Sequence, residues 1–271
     1  MTHQYLRPKR RFGQHFLEDT WVRKVVASIA PKATDHIVEI GPGRGALTFP
    51  LAAQAHKLLA IEIDRTLANG LIKIKNGTID TIQADFLELD LVAIAKEIYT
   101  GHGSIRVVGN LPYNISAPIV LRLLRHAHSN GISDATIMLQ REVGERVIAL
   151  PGSKNYGPLA VMASLHSVAK RLLDLPPGAF RPRPKVHSTL IHLQFHQPEL
   201  IPSSFEQFES FTRQLFTQRR KQISNALSSA AFGRSFDPRD CCSRANLDPS
   251  RRPAELQLAE LIDLYEVVAF S

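Results

Sequence analysis

The sequence predicts an α/β protein with a mostly parallel β-sheet, followed by a smaller all-helical domain. Buried apolar runs of strand length alternate with helical patterns between residues 36 and 195. Parallel strands that alternate with helices are joined by right-handed crossovers, and the helices cover both faces of the sheet. From Pro198 onward only helical patterns occur, so we place a boundary after residue 199 and expect domains at 1–199 and 200–271.

Each element follows from the spacing of its apolar residues. An amphipathic helix follows Asp19 and Thr20, because the next apolar residues recur every three or four positions. Apolar runs predict strands at residues 36–40, 58–64, 78–85, 105–109, 134–140, 172–175 and 187–195. Helical spacing predicts helices around residues 47–52, from residue 158, from 205 through 227, and at 254–262.

The composition is that of a soluble globular protein, with 44% apolar and 21% charged residues. The two cysteines, Cys241 and Cys242, are adjacent, which predicts neither a disulfide framework nor a zinc site. His192 lies on a predicted strand and His196 follows its last residue. Side chains four residues apart on an extended segment do not converge, so we expect no metal site. The chain contains no apolar run of membrane-spanning length and no signal-peptide region. We expect a cytoplasmic protein that acts as a monomer without membrane association.

The net charge of +8 is concentrated in the first part of the chain. Residues 1–200 carry 24 basic and 16 acidic side chains, whereas residues 201–271 carry nine of each. An excess of positive charge on one part of a protein is typical of binding to a polyanion such as nucleic acid. A solvated basic surface without a partner is the alternative. Residues 7–17 place cations before two phenylalanines, a pattern that favours an RNA contact or a lid over a ligand.

Unusual residues follow the first four strands of the predicted sheet. The glycine loop Gly41–Gly45 follows the first strand, Glu62 lies near the end of the second and Asp85 ends the third. The fourth strand leads into the stretch Gly109–Asn114, which reads Gly-Asn-Leu-Pro-Tyr-Asn. The carboxyl ends of parallel strands meet at one edge of the sheet, where such folds bind their ligands. We therefore expect one site built from all four segments.

The Gly109–Asn114 stretch suits methylation of the exocyclic amine of a nucleobase. The lone pair of such an amine is delocalised into the ring, so the amine is a poor nucleophile. The Asn110 side-chain oxygen and a nearby backbone carbonyl can accept its two N–H bonds and favour a more tetrahedral nitrogen. Tyr113 can hold the base by stacking, and Pro112 keeps the loop extended. An ordinary strand-to-helix turn, with Ser116 as the N-cap, is the alternative reading.

The glycine loop fits two adenosyl cofactors. Gly41, Gly43 and Ala46 match the dinucleotide fingerprint, so a nicotinamide-dependent oxidoreductase is one hypothesis. Three features favour S-adenosyl-methionine instead. The loop is wider than a pyrophosphate needs, Asp85 can accept a hydrogen bond from an adenine amine, and the Asn110 turn lies where a transferable methyl group is expected.

The chain resembles the small-subunit ribosomal RNA adenine dimethyltransferases. The matching stretches, in chain order, are residues 9–17, 38–43, 109–116, 180–186 and 218–221. The resemblance implies a class I, Rossmann-like methyltransferase fold with a seven-stranded sheet and a helical C-terminal domain. It also implies dimethylation of the N6 amines of two adjacent adenosines near the 3′ end of 16S rRNA, within the small ribosomal subunit or its precursor, with S-adenosyl-homocysteine as the second product and a role in subunit biogenesis.

The resemblance also implies roles for individual residues. The expected contacts with S-adenosyl-methionine are His15, Leu17, Gly41, Gly43, Glu62, Asp85 and Asn110. Family members commonly have Asn where this chain has His15. The expected catalytic residues are Asn110, Pro112, Tyr113 and Phe180, with Phe180 stacking on the base opposite Tyr113. The expected RNA-binding residues are Arg10, Arg11, Arg181, Arg183, Lys185, Arg219, Arg220 and Lys221.

The expected reaction is direct displacement of the methyl group by the adenine nitrogen. Positioning supplies most of the catalysis, and no metal or covalent intermediate is expected. Three alternatives remain at the level of the sequence. They are a large-subunit rRNA adenine methylase of the antibiotic-resistance type, a NAD-dependent oxidoreductase, and a non-enzymatic ribosome assembly factor.

Overall fold

The computed structural model describes residues 15–74, 77–99, 101–126, 131–229 and 236–271. Contacts divide the chain into two units, Met1–Gly144 with Val168–His196, and Glu145–Ser167 with Gln197–Ser271. The predicted boundary after residue 199 lies three residues beyond His196, the last residue of the first unit. The predicted first domain also includes residues 145–167, which the contacts group with the C-terminal helices.

A seven-stranded sheet is the core of the first unit. Its strands are β2 (His36–Ile40), β3 (Lys57–Glu62), β4 (Ile79–Gln83), β5 (Ile105–Asn110), β6 (Ile132–Gln140), β7 (Ser167–Leu175) and β9 (Ser188–Phe195). The strand order is β4-β3-β2-β5-β6-β9-β7. The pairs among the first five strands in this order are parallel, and β9 runs antiparallel to β6. This mostly parallel sheet confirms the predicted fold class.

A second, two-stranded sheet joins distant parts of the chain. Strand β1 (Phe16–Leu17) pairs antiparallel with β8 (Phe180–Arg181). Leu17 and Phe180 are opposite each other in this pair, and both side chains are buried. The pairing therefore anchors the segment before the first helix to the segment that precedes β9.

Among the described residues, six helices belong to the part of the chain that builds the sheet. They are α1 (Asp19–Ile29), α2 (Thr48–Ala52), α3 (Arg65–Ile72), α4 (Leu91–Ile98), α5 (Ser116–His126) and α6 (Arg141–Val147), the last of which contains the division between the units. Helix α1 buries Val22, Val25, Val26 and Ile29, as its apolar spacing predicts. Carboxylates begin α3 and α4, where Asp64 accepts from the Thr66 N–H and Asp90 from the Val92 N–H.

The second unit is helical. Its helices are α7 (Pro158–His166), α8 (Phe205–Leu215), α9 (Ile223–Ser229), α10 (Pro238–Arg244) and α11 (Leu258–Ala269). Phe208 and Phe211 of α8 pack against Tyr265 of α11. None of the helices in the described part of the chain is long and apolar enough to span a membrane.

The prediction of one helix from residue 205 through 227 is wrong. Helix α8 ends at Leu215, the turn Phe216–Gln218 tightens into a 3-10 helix, and α9 begins at Ile223. The Ile223 N–H donates to the Arg251 carbonyl instead of to a carbonyl one helical turn earlier. This contact with a distant segment replaces a helical hydrogen bond, and sequence periodicity does not report it.

A buried ion cluster lies at the amino-terminal edge of the parallel strands. Arg106 of β5 donates through Nε to Asp134 Oδ2 at 2.8 Å and through Nη1 to Asp35 Oδ2 at 2.8 Å. Its Nη2 also donates to the Ile29 carbonyl, in the last turn of α1. The side chains of the three charged residues are all at most 12% exposed. The cluster therefore ties β2, β5, β6 and α1 together at the edge opposite the carboxyl ends of the strands.

Candidate functional site

A cleft lies at the carboxyl ends of β2, β3 and β5. Strands β2 and β5 are neighbours in the sheet. From β2 the chain continues to β3 on one side, and from β5 it continues to β6 on the other side. Such a switch point is where open α/β sheets bind their ligands. The predicted site residues that line the cleft are His15, Leu17, Gly41, Gly43, Glu62, Asn110, Pro112 and Tyr113.

The loop after β2 is shaped by its glycines. Gly41 and Gly43 have φ values of +68° and +61°, in the left-handed region that side chains disfavour. A Cβ atom on Gly43 would also lie 3.1 Å from the Phe16 ring. The loop backbone can therefore approach a ligand closely, because no side chain stands between the two.

Glu62 fixes this loop from the end of β3. Its Oε2 accepts from the Gly43 N–H at 3.0 Å, and its Oε1 accepts from the Asp64 N–H at 2.8 Å. Burial raises the pKa of Glu62, and the two backbone hydrogen bonds oppose that rise. Each carboxylate oxygen has a second lone pair, so Glu62 can also accept hydrogen bonds from a ligand in the cleft.

Glu39 also lines the cleft, although no sequence motif predicts a role for it. Its side chain is 2% exposed, and its Oε2 has no hydrogen-bond partner among the described residues. Burial raises its pKa to about 7, and the neighbouring charge of Glu62 adds to the effect. The sequence does contain a clue to this role, namely a carboxylate inside the apolar run Ile37-Val38-Glu39-Ile40. Burying an ionisable group in a central strand costs folding free energy unless the group has a partner.

Asn110 is the last residue of β5 and lines the cleft. Its Nδ2 donates to the His15 carbonyl at 2.8 Å. This hydrogen bond fixes the orientation of the side-chain amide, so Oδ1 is the atom that remains to accept from a ligand. The sequence motif thus produces a held acceptor at the carboxyl end of a central strand.

His15 and Tyr113 form a stacked pair beside Asn110. Their ring centroids are 5.4 Å apart, with an angle of 26° between the ring planes. The His15 Nδ1 lies 2.7 Å from the Pro182 carbonyl, so this nitrogen carries the proton and donates it. Through its backbone and its ring, His15 contacts both of the residues on which the predicted chemistry depends.

Two predicted residues occupy other positions. Phe180 is fully buried in the hydrophobic core that contains Leu17 and Leu175, and it does not line the cleft. Protein atoms cover both faces of its ring, so we correct the prediction that it stacks on a base opposite Tyr113. Asp85 is outside the lining of the cleft, and its Oδ1 accepts from the Leu87 N–H at 2.9 Å. Its contact with an adenine amine stays a prediction.

The predicted RNA-binding residues lie in three segments. Arg10 and Arg11 fall outside the described residues. Arg181 ends β8, and Arg183 and Lys185 lie between β8 and β9. All three are exposed, and the Arg181 Nε donates to Glu18 at 2.7 Å. In the helical unit, the Arg219 Nη2 donates to the Ser153 carbonyl, whereas Arg220 and Lys221 are exposed.

Comparisons with known proteins agree on one family. A family model described as ribosomal RNA adenine dimethylase matches residues 6–264. The chain is 40% identical over 263 residues to the ribosomal RNA small subunit methyltransferase A of Xanthomonas euvesicatoria pv. vesicatoria, covering 96% of this chain and 95% of that protein. It is 37% identical over 266 residues to the protein of the same name from Legionella pneumophila, covering 97% and 98%.

Two solved structures share the fold over most of its length. A dimethyladenosine transferase from Plasmodium falciparum superposes with a TM-score of 0.74 at 20% identity, covering 92% of this chain and 96% of that chain. The 23S rRNA methyltransferase ErmE superposes with a TM-score of 0.65 at 25% identity, covering 94% and 99%.

Proposed function

Because the chain belongs to the ribosomal RNA adenine dimethylase family, we propose that it dimethylates the N6 amines of two adjacent adenosines near the 3′ end of 16S rRNA, using S-adenosyl-methionine. The substrate is the small ribosomal subunit or its precursor. The observation that carries the proposal is the Asn110 amide, held by the His15 carbonyl at the carboxyl end of β5. The match to the family model and the 40% identical relative confirm the family resemblance seen in the sequence.

The cleft suits S-adenosyl-methionine on structural grounds. Glu39 offers a buried carboxylate oxygen without a partner among the described residues, and such an oxygen matches the cationic end of this ligand. Glu62 offers acceptors for ribose hydroxyls, and the Gly41–Gly43 backbone permits a close approach. His15, Leu17, Asn110 and Asp85 complete the proposed binding set. When bound, the cofactor supplies an electrophilic methyl group.

Asn110 is proposed to prepare the adenine amine for methyl transfer. Its Oδ1 accepts one N–H of the amine, which reduces delocalisation of the nitrogen lone pair into the ring and holds that lone pair in one direction. An N–H acquires positive charge only as the new N–C bond forms, so a fixed neutral acceptor is most effective in the transition state. Asn110 therefore needs no ionisation of its own.

Tyr113 and Pro112 are proposed to hold the base. A base that stacks on an aromatic side chain gains about 1–3 kcal/mol, and the gain depends little on base identity. Selection of adenine therefore comes from the hydrogen bonds at its amine, and stacking supplies binding and orientation. Pro112 restricts the backbone of Leu111, which keeps Asn110 and Tyr113 on the same side of the turn.

Cofactor affinity is expected to depend on the ionisation of Glu39. Burial raises the pKa of Glu39 to about 7, and contact with a cation lowers it, so a proton is released on binding. We expect the affinity for S-adenosyl-methionine to fall roughly tenfold between pH 8 and pH 6. Calorimetric titration at several pH values, in buffers of different ionisation enthalpy, measures both the affinity and the proton release.

The matched variant for this prediction is Glu39→Gln, which keeps the shape of the side chain but does not ionise. We expect weaker binding of S-adenosyl-methionine that no longer changes between pH 6 and pH 8. If the affinity of this variant depends on pH as that of the natural protein does, another group is responsible for the effect. An affinity of the natural protein that does not change between pH 6 and pH 8 would contradict the role of Glu39.

Binding to the ribosomal particle is expected to depend on salt through Arg220 and Lys221. Replacing both with Gln should weaken binding at low salt and reduce the slope of log K against log salt by roughly one for each lost phosphate contact. The control is the pair Arg213→Gln and Arg239→Gln, two exposed residues of the same unit with the same change in charge. Equal slopes for the two double variants would contradict a specific contact at Arg220 and Lys221.

The proposed substrate is tested with isolated ribosomal subunits. Undermethylated small subunits and large subunits are incubated separately with the protein and labelled S-adenosyl-methionine. We expect label in the small subunit alone. Label in the large subunit would support the antibiotic-resistance type of methylase instead. Calorimetry with NAD tests the oxidoreductase hypothesis, and subunit maturation in the presence of an inactive variant tests an additional assembly role.

A further inference from the structure

We infer that Ser188 is a positioning residue for methyl transfer, and that it acts by holding the hydroxyl of Tyr113. The inference rests on the proposed function, because it concerns the residue that stacks on the target base. The Ser188 Oγ lies 2.7 Å from the Tyr113 hydroxyl oxygen, so the two groups share a hydrogen bond. Ser188 is fully buried and has no other assigned role.

Ser188 is fixed by the sheet. It is the first residue of β9 and lies opposite Gln140, the last residue of β6, in their antiparallel register. The next backbone contact continues the ladder, because the Arg141 N–H donates to the His187 carbonyl at 3.0 Å. A hydroxyl on a paired strand has little freedom to move, which makes it a more precise anchor than a group on a loop.

Tyr113 belongs to the segment between β5 and α5, so its position depends on such anchors. Its side chain is only partly buried, and it is held at two places. The His15 ring stacks on the phenol ring, and Ser188 fixes the hydroxyl. Together these contacts determine the plane and the direction of the ring. Because a misplaced reacting group lowers the rate steeply, the orientation of a stacked base matters more for transfer than for binding.

The inference predicts coupled effects of Ser188→Ala and Tyr113→Phe. Each variant removes the same hydrogen bond while keeping the strand or the ring. A net hydrogen bond of this kind corresponds to a change of roughly threefold to tenfold. We expect each single variant to lower kcat by that factor, with little change in KM for the small subunit. The double variant should be no slower than either single variant, because the bond can be lost only once.

A matched control separates positioning from general destabilisation. Thr189 is the next residue of β9, is equally buried, and donates its hydroxyl to the Leu173 carbonyl at 3.1 Å. Thr189→Val removes a buried hydroxyl of the same strand at a distance from Tyr113. We expect its kcat to be unchanged, and we expect calorimetric titration to give the natural affinity for S-adenosyl-methionine in all of these variants.

A measurement that needs no methyl donor also tests whether Ser188 orients the Tyr113 ring against the target base. 2-Aminopurine is placed at one target adenosine in a reconstituted small subunit, where stacking on Tyr113 quenches its fluorescence. We expect less quenching with Ser188→Ala and Tyr113→Phe than with the natural protein or Thr189→Val. Multiplicative effects in the double variant, or a Ser188→Ala protein with natural kcat and quenching, would overturn the inference. Failure of the natural protein to methylate any rRNA would instead overturn the proposed function.

Discussion

Asn110→Ala is expected to abolish most methyl transfer while cofactor binding persists. The substitution removes the acceptor that lies at the end of β5 and the hydrogen bond to the His15 carbonyl. Removing one preorganised hydrogen-bonding group from an active site lowers kcat on the order of 10²–10³-fold. We expect a loss of this size on undermethylated small subunits. Asn110 is one of several proposed cofactor contacts, so the affinity for S-adenosyl-methionine, measured by calorimetry, should fall only modestly, because Glu39, Glu62 and the glycine loop remain.

The control for this prediction is Asn114→Ala. Asn114 is exposed, lies four residues along the same turn and does not line the cleft. A general disturbance of the turn would slow both variants. We expect Asn114→Ala to transfer methyl groups at close to the natural rate, and near-normal turnover by Asn110→Ala would contradict the assigned role.

Arg106→Met is expected to destabilise the sheet unit strongly without touching the cleft. The substitution leaves Asp35 and Asp134 buried without their positive partner and frees the carbonyl of Ile29. Removing one member of a buried ion pair costs about 3–5 kcal/mol. Urea unfolding can be followed by the fluorescence of Trp21, the only tryptophan, which packs against the core of this unit. We expect the urea concentration at the midpoint of unfolding to fall, whereas the dependence of the free energy of unfolding on urea concentration should not change.

Arg23→Met is the matched control for Arg106. Arg23 is exposed on α1, so the same chemical change should alter the free energy of unfolding by less than about 0.5 kcal/mol. Combining Arg106→Met with Asp35→Asn and Asp134→Asn should recover part of the loss, because no buried charge is then left unpaired. A loss below about 1 kcal/mol for Arg106→Met would show that the cluster contributes little to stability.

Much of the fold follows from sequence because the central strands are buried on both faces. Strands β2, β3 and β5 are mostly apolar, and their predicted positions agree with the structure within two residues. Strand β7 is different. It begins at Ser167, five residues before its predicted start, because exposed polar residues such as Lys170 and Arg171 interrupt its apolar pattern at the edge of the sheet.

The cleft was predictable in outline for a topological reason. Gly41, Glu62 and Asn110 follow or end three neighbouring parallel strands, and the sheet brings them to one edge whatever their separation in the chain. The position of Phe180 was not predictable in the same way. It depends on the pairing of β1 with β8, two-residue strands more than 160 residues apart, and so short a strand has no periodicity to detect.

Glu39 and Ser188 were missed because their roles depend on what surrounds them. The run around Glu39 reads as a buried strand, but only the packed structure leaves one of its oxygens without a partner among the described residues. Ser188 begins an ordinary strand, and its hydroxyl acquires a role only where β9 passes Tyr113. Such residues are recognised by distances and burial, and motif spacing carries no information about them.

The central claim is that the Asn110 cleft methylates adenine N6 in the small subunit, and nucleotide mapping tests it most directly. Undermethylated small subunits are treated with S-adenosyl-methionine and either the natural protein or Asn110→Ala, and the modified nucleotides are identified by mass spectrometry of rRNA fragments. We expect N6-dimethyladenosine at two adjacent positions near the 3′ end of 16S rRNA with the natural protein, and almost none with the variant. Modification of another base or of the ribose, or the same products from Asn110→Ala, would contradict the account.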